Sequence, residues 1–293
     1  MLKKMMKKII SGTLALASVM ACAGTFTACE TAHPEFTMKI SFNGETYEMD
    51  YYLYRKVAPA TTEHFIWLVD SGYYNGLCVH DYNTTSNRMY TGGYVATDLE
   101  GDTDGLLPRN YYEFVEKHKD LASFPHSVWS DSKQQNSLYT LRGEFKSNSF
   151  EVESGALKPE FGSLTMYYHS NQATDDVYVE YESRDGVATR QYKYNSATSL
   201  FYIALSSSAT VNSDFCTFAL LQSGSKDDLE DLLEAIDAYI DSNYGENSED
   251  SFTESHSVIV GENDKLLEDY ETVVSYSVPQ SKIVIESIKM TKY

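Results

Sequence analysis

The sequence predicts a mainly β fold. Three observations carry it: short runs in which apolar and polar residues alternate, turn residues between those runs, and only two stretches with clear helical spacing. The first alternating runs flank Phe42-Asn43-Gly44-Glu45, so residues 35–54 form a hairpin. Ala58-Pro59 ends the second strand, and residues 61–71 carry Phe65, Leu68 and Val69 on one helical face, with Gly72 just past the end. A strand over 77–82 follows, then a polar loop from Asn83 to Asn87 and a strand over 89–95. Residues 97–143 are irregular, with a short helix over 110–121. Strands are expected at 163–169, 199–205 and 215–221, with a hairpin over 177–194 around Arg184-Asp185-Gly186. Residues 226–242 form the clearest helix, on a stripe of Leu229, Leu232, Leu233, Ile236, Tyr239 and Ile240. An acidic loop over 243–254 and a last strand over 282–290 complete the chain.

The first residues are of another kind. Four lysines precede an apolar run of small residues from Ile9 to Ala28 that holds no acid. That is the pattern of a secretory leader, and its serines, threonines and glycines speak against a retained span. Phe26-Thr27-Ala28-Cys29 resembles a bacterial lipobox, in which the cysteine is acylated and becomes the N-terminus. Val19-Met20-Ala21-Cys22 is the competing match. The expected organisation is therefore a leader over 1–28, a tether over 29–35 and one domain over 36–293, held outside a bacterial membrane by its lipid. Losing the four leader lysines leaves 19 basic against 43 acidic residues, moving the net charge from −20 to −24. Such a surface repels phosphate backbones, which excludes nucleic acid as a partner.

Several motifs are missing from the chain. It has no Gly-x-Ser-x-Gly, no Cys-x-x-Cys, no paired-histidine metal motif and no phosphate-cradling glycine loop, so neither metal nor cofactor is expected. Cys78 and Cys216 sit in apolar runs and read as buried thiols, with a disulfide as the alternative.

The order of elements and several strings resemble the cyclophilin-type peptidyl-prolyl isomerases. The most specific is Ala58-Pro59-Ala60-Thr61-Thr62-Glu63-His64-Phe65, followed by Ser71-Gly72-Tyr73-Tyr74-Asn75-Gly76 and Cys78-Val79-His80. Arg88-Met89-Tyr90-Thr91-Gly92-Gly93 is similar to the family's Phe-Met-x-Gln-Gly-Gly, and Phe161-Gly162-Ser163-Leu164-Thr165-Met166 to its Gly-x-Leu-Ser-Met. Gly143-Glu144-Phe145, Ser199-Leu200-Phe201-Tyr202-Ile203 and Phe215-Cys216-Thr217-Phe218-Ala219 match further segments. The resemblance implies a closed eight-stranded antiparallel barrel capped by two helices, with large insertions at about 97–143 and 170–196.

It also implies a site. Family members bind the twisted prolyl peptide better than either planar isomer, with an arginine donating to the prolyl amide. Here the His-Arg pair becomes His80-Asp81, a carboxylate in the arginine's place. Arg88 replaces an apolar phenylalanine and is the candidate substitute donor; Met89 is kept, and Thr91 replaces the glutamine. Tyr167-Tyr168 replace Ala-Asn, Leu200 a glutamine, Tyr202 a phenylalanine and Phe215 a histidine, while Thr210-Val211 align with Trp-Leu. The expected peptide pocket is His80, Asp81, Met89, Thr91, Tyr168, Leu200, Tyr202 and Phe215. Two functions follow: a prolyl isomerase or foldase for secreted proteins with a degenerate site, or a non-catalytic module that binds an extended polypeptide. A two-lobed solute-binding lipoprotein needs more helices than this chain offers.

Overall fold

The hairpin that opens the domain is formed as expected: β1 (Glu35–Phe42) pairs with β2 (Glu45–Leu53), and Asn43 and Gly44 both adopt positive φ at its two-residue turn. Alternation buries Phe36, Met38, Ile40 and Phe42 from β1 and Met49, Tyr51 and Leu53 from β2 in one core. The structure is a computed structural model that describes residues 31–96, 106–118, 124–150, 155–167, 175–181, 185–245, 249–261 and 271–293. The expected leader and both candidate lipidation cysteines lie outside the described residues, and Thr31–Lys292 form one unit.

Helix α1 (Pro59–Asp70) lies on the concave side of the sheet. Pro59 suits its first turn, which needs no N–H there. The next two free N–H groups, of Ala60 and Thr61, donate to the two carboxylate oxygens of buried Glu144 at 2.9 and 2.8 Å. That clamp offsets the unpaired donors of the helix end. At the other end Gly72, at φ 73°, and Tyr73 donate back to Val69 and Leu68 in a Schellman-type stop. Phe65 then packs within 5.2 Å, ring centre to ring centre, of Phe36, Tyr74 and Phe218.

After α1 come β3 (Leu77–Cys78), β4 (Asp81–Asn83), β5 (Arg88–Thr91), β6 (Tyr94–Ala96) and β7 (Leu106–Pro108). Helix α2 (Tyr111–His118), β8 (Val128–Trp129), β9 (Leu164–Met166), β10 (Asp176–Glu180) and β11 (Val187–Gln191) follow. Next are β12 (Phe201–Ala204), β13 (Thr217–Leu221), α3 (Lys226–Tyr244), the short α4 (Glu249–Phe252), β14 (Thr253–Gly261), β15 (Glu271–Pro279) and β16 (Ile283–Lys292). The main sheet runs β3-β16-β1-β2-β13-β9-β12-β5-β4. Leu229, Leu232, Ile236 and Ile240 bury the inner stripe of α3, and its acids face water.

Three expectations need correction. The described sheet has nine strands in an open order, not a closed ladder of eight. The reason lies in residues 77–82, expected as a single strand: Leu77 and Val79 point into the core and so does Tyr82, so the alternation slips by one at His80-Asp81. The run breaks there into β3, paired with β16 at one edge, and β4, paired with β5 at the other. Secondly, the strand expected over 89–95 splits at Gly92-Gly93, where Gly92 at φ 97° leaves the strand conformation and a Cβ would stand 2.3 Å from the Ser199 carbonyl oxygen. Thirdly, the loop expected over 243–254 contains α4 and opens into the β14–β15 hairpin, which the sequence reading passed over.

The two expected insertions fold on each other. β8, from the first, pairs with β10, from the second, in the sheet β11-β10-β8, which keeps its own core of Val128, Leu138, Val177, Val179, Ala188 and Tyr192. Cys78 and Cys216 are buried and free.

Buried His64 on α1 sets an acid limit on this core. Tyr111 donates its hydroxyl proton to the Tyr139 carbonyl at 2.6 Å, so its oxygen accepts from His64 Nε2–H at 3.1 Å. Burial lowers the His64 pKa from 6.5 to about 3. The unfolded chain therefore takes up this proton first, and the stability held by the neutral ring is complete above pH 6.5 and is lost as the pH falls toward 3. In urea denaturation, the stability gap between wild type and His64→Gln should narrow from pH 7 to pH 4.5, at up to about 1.4 kcal/mol per pH unit. A constant gap would contradict it.

Candidate functional site

The outer face of the curled sheet carries a second apolar group, of Tyr90, Tyr202 and Ala204 with Tyr167 packed against them. Strand alternation selects its members. On β5, Arg88 and Tyr90 face outward while Met89 and Thr91 face inward: Met89 lies in the main core, and Thr91 donates its hydroxyl to the Cys78 carbonyl at 2.8 Å. On β12, Tyr202 and Ala204 face outward and pair with Tyr90 and Arg88.

The rings form a continuous shelf. Tyr90 stands 5.4 Å from Tyr202 and 5.0 Å from Tyr167, centroid to centroid, and Tyr167 is 5.7 Å from Phe215. Burial pushes the Tyr167 phenol up to about 12, with Tyr90 and Asp81 adding to the effect and Arg88 opposing it, so the ring is neutral at ordinary pH. Arg88 closes one end. Its guanidinium carbon sits 4.5 Å from the Tyr202 ring centre, and Nη1 donates to the Tyr90 hydroxyl at 3.2 Å. Burial lowers the Arg88 pKa, but the Tyr90 hydrogen bond and the surrounding phenols outweigh it and leave the pKa raised, so the charge is permanent.

Asp81 closes the other end. It is the register partner of Tyr90, and its Oδ1 accepts the Ser277 N–H of β15 at 3.1 Å. Burial raises its pKa and the Ser277 bond pulls it back. His80 is fully buried beside it, its ring 4.8 Å from Tyr94 and 4.7 Å from Tyr276. The β14–β15 hairpin thus covers the flank where the family resemblance puts His-Arg. Leu200 is half-buried against Gly93, and its carbonyl accepts from the Tyr167 N–H at 2.8 Å.

Of the residues expected in the pocket, Asp81, Tyr202 and Phe215 share the shelf with Arg88. His80 is covered by the hairpin, Leu200 lies at the margin, and Tyr168 lies outside the described residues. Met89 and Thr91 belong to the opposite face, a correction forced by alternation on β5. The shelf residues Tyr90 and Tyr167 were not among the expected pocket residues; the signal for Tyr90 was its one-residue offset from Met89. Beyond Arg88 lies a cleft of about 350 Å³. Thr210 and Val211, the positions aligned with the family's Trp-Leu, line it together with Asn87, Pro159 and the serines of 206–213.

Residues 37–260 match the family model for cyclophilin type peptidyl-prolyl cis-trans isomerase/CLD. The chain belongs to this family. Among solved structures, it is similar to a cyclophilin type peptidyl-prolyl cis-trans isomerase of Cryptosporidium parvum, at 14% identity and a TM-score of 0.43, covering 89% of this chain and 99% of that one. The same protein in the presence of the dipeptide Ala-Pro gives 16% identity, a TM-score of 0.41, and 88% and 99% coverage. No curated protein matches the chain.

The Asp81–Ser277 bond joins the hairpin to the shelf, and removing it should loosen β15 there. Hydrogen bonds to a charged acceptor are worth about 1.5–3 kcal/mol. Asp81→Ala should therefore speed amide exchange at Ser277 about tenfold or more by NMR, with a smaller change in Asp81→Asn, which keeps an oxygen acceptor. Unchanged protection in Asp81→Ala would contradict this account.

Proposed function

We propose that this cyclophilin-type protein is a prolyl isomerase or foldase for secreted polypeptides, tethered outside the membrane through an acylated Cys29, with Cys22 the alternative, and working with a degenerate active face. The observation that carries this reading is the half-buried Arg88 guanidinium on the outer face, stacked on Tyr202 beside an open cleft. Extended peptide laid over the half-buried rings of Tyr167 and Phe215, which rest on the buried Tyr90 and Tyr202, covers apolar surface there, and Arg88 supplies the cation that grips it. The leader pattern supports export. The acidic balance argues against nucleic acid and leaves membrane attachment to the lipid.

Degeneracy follows from charge. A prolyl nitrogen gains electron density as its amide twists, and Asp81 presents a carboxylate where the resemblance implies a donor. One preorganised donor is worth about 10²–10³ in rate, so turnover should fall short of an arginine-bearing site by that order. A second reading, a binding module without turnover, is favoured by one observation: Asp81 is committed to the Ser277 N–H of the β14–β15 hairpin.

The test is cis-trans exchange of Xaa-Pro peptides by NMR, using the chain from Thr31 onward. Weak catalysis by the wild type, lost in Arg88→Ala, is the expected result. Catalysis unchanged in Arg88→Ala would remove Arg88 from the mechanism, and binding without exchange would leave the second reading. The tether is checked by mass spectrometry of the membrane-extracted protein, whose N-terminal peptide should begin at an acylated cysteine.

A further inference from the structure

The Arg88 guanidinium is half-buried and makes no ion pair with any described carboxylate, in a chain with 43 acidic and 23 basic residues. The charged or titratable groups acting on it are phenols, Tyr90 on its own strand, Tyr202 on β12 and Tyr167 after β9. None of the residues lining the adjoining cleft is acidic. Its walls are hydroxyls and amides, and they are held in place. Ser208 accepts the Thr210 N–H at 3.2 Å and donates to the Thr210 carbonyl at 3.0 Å. Asn212 uses Oδ1 to accept the N–H groups of Asp214 and Phe215 at 2.9 and 3.2 Å, which leaves the two N–H donors of its Nδ2 for a ligand. At the same wall, Tyr202 is 1% exposed and its hydroxyl has no hydrogen-bond partner among the described residues.

We infer that this cleft takes a carboxylate of the bound polypeptide, paired to Arg88 and to the Asn212 amide. The inference rests on the peptide-binding reading above and names the chemical class of segment that the face selects. A single guanidinium without lysine or a helix N-terminus matches a singly charged anion, and the chain's net charge of −20 opposes a doubly charged phosphate. The carboxylate comes either from an Asp or Glu side chain or from the polypeptide's own C-terminus.

Four fluorescein-labelled proline peptides separate the cases by anisotropy with the purified full-length chain: an internal Glu with an amidated C-terminus, the same with Gln, Gln with a free C-terminus, and phosphoserine in place of Glu. The expected result is about tenfold tighter binding of the Glu peptide, or of the free-C-terminus peptide, than of the amidated Gln peptide. That preference should vanish in Arg88→Ala. It should also vanish in Asn212→Asp, which keeps the Oδ1 acceptor that holds the loop but puts a negative charge in the cleft, so a folding defect at Arg88 does not decide the matter. Equal binding of all four peptides would overturn the carboxylate assignment and leave the peptide-binding reading standing. Tightest binding of phosphoserine would overturn it in favour of phosphate. No binding of any peptide would overturn both.

Discussion

Seven residues, Leu77 to Asn83, hold both edges of the main sheet. Leu77 and Cys78 pair with β16, while Asp81 to Asn83 pair with β5, and the Val79 and His80 N–H groups bond across to Ile283 and Tyr90. Two strands at opposite ends of a nine-strand order are thus only two residues apart in sequence, which requires the sheet to curl. Curling gives it a concave side, filled by Phe65 and its aromatic neighbours, and a convex side on which outward residues of β5 and β12 stand together. Everything proposed for the outer face depends on that curvature. The slip at His80-Asp81 that breaks the strand also turns the Asp81 carboxylate toward the hairpin.

The outer face owes its chemistry to burial and charge together. Phenols packed ring against ring form an apolar shelf with polar edges, and burial keeps the Tyr167 phenol neutral. The guanidinium of Arg88 keeps its charge under the same conditions because a delocalised cation over an aromatic ring loses less on partial burial than an ammonium would. Asp81 sits at the far end of the shelf, with Tyr90 between them, and is satisfied by a backbone N–H. The two charges therefore do not neutralise each other, and Arg88 remains open to a ligand. The β14–β15 hairpin completes the separation by covering His80 and fixing Asp81.

Much of the fold was legible locally. Asn43-Gly44 specifies a tight hairpin through positive φ, Pro59 and Gly72 bracket α1, and the apolar stripe of α3 needs nothing beyond its own period. The β14–β15 hairpin was missed: Val258 and Ile259 lie opposite Val274 and Val273, but the serines, Glu254 and His256 around them interrupt the apolar pattern. The site was legible only in part. Asp81, Arg88, Tyr202 and Phe215 share the outer face, yet a motif match does not fix which way a side chain points. Tyr90 rather than Met89 faces out because its register partner on β12 is Tyr202, and that pairing is a long-range fact no local pattern contains. The break in residues 77–83 was hidden for the same reason, because it comes from two partners on opposite edges.

The central claim is that polypeptide binds on the convex face of β5 and β12. The most direct measurement is NMR shift mapping of a proline-containing peptide on the uniformly labelled protein. The account predicts shifts concentrated at residues 86–91, 200–215 and Tyr167, with the β11-β10-β8 sheet silent. Shifts centred on that three-stranded sheet, or on the acidic face of α3, would contradict it.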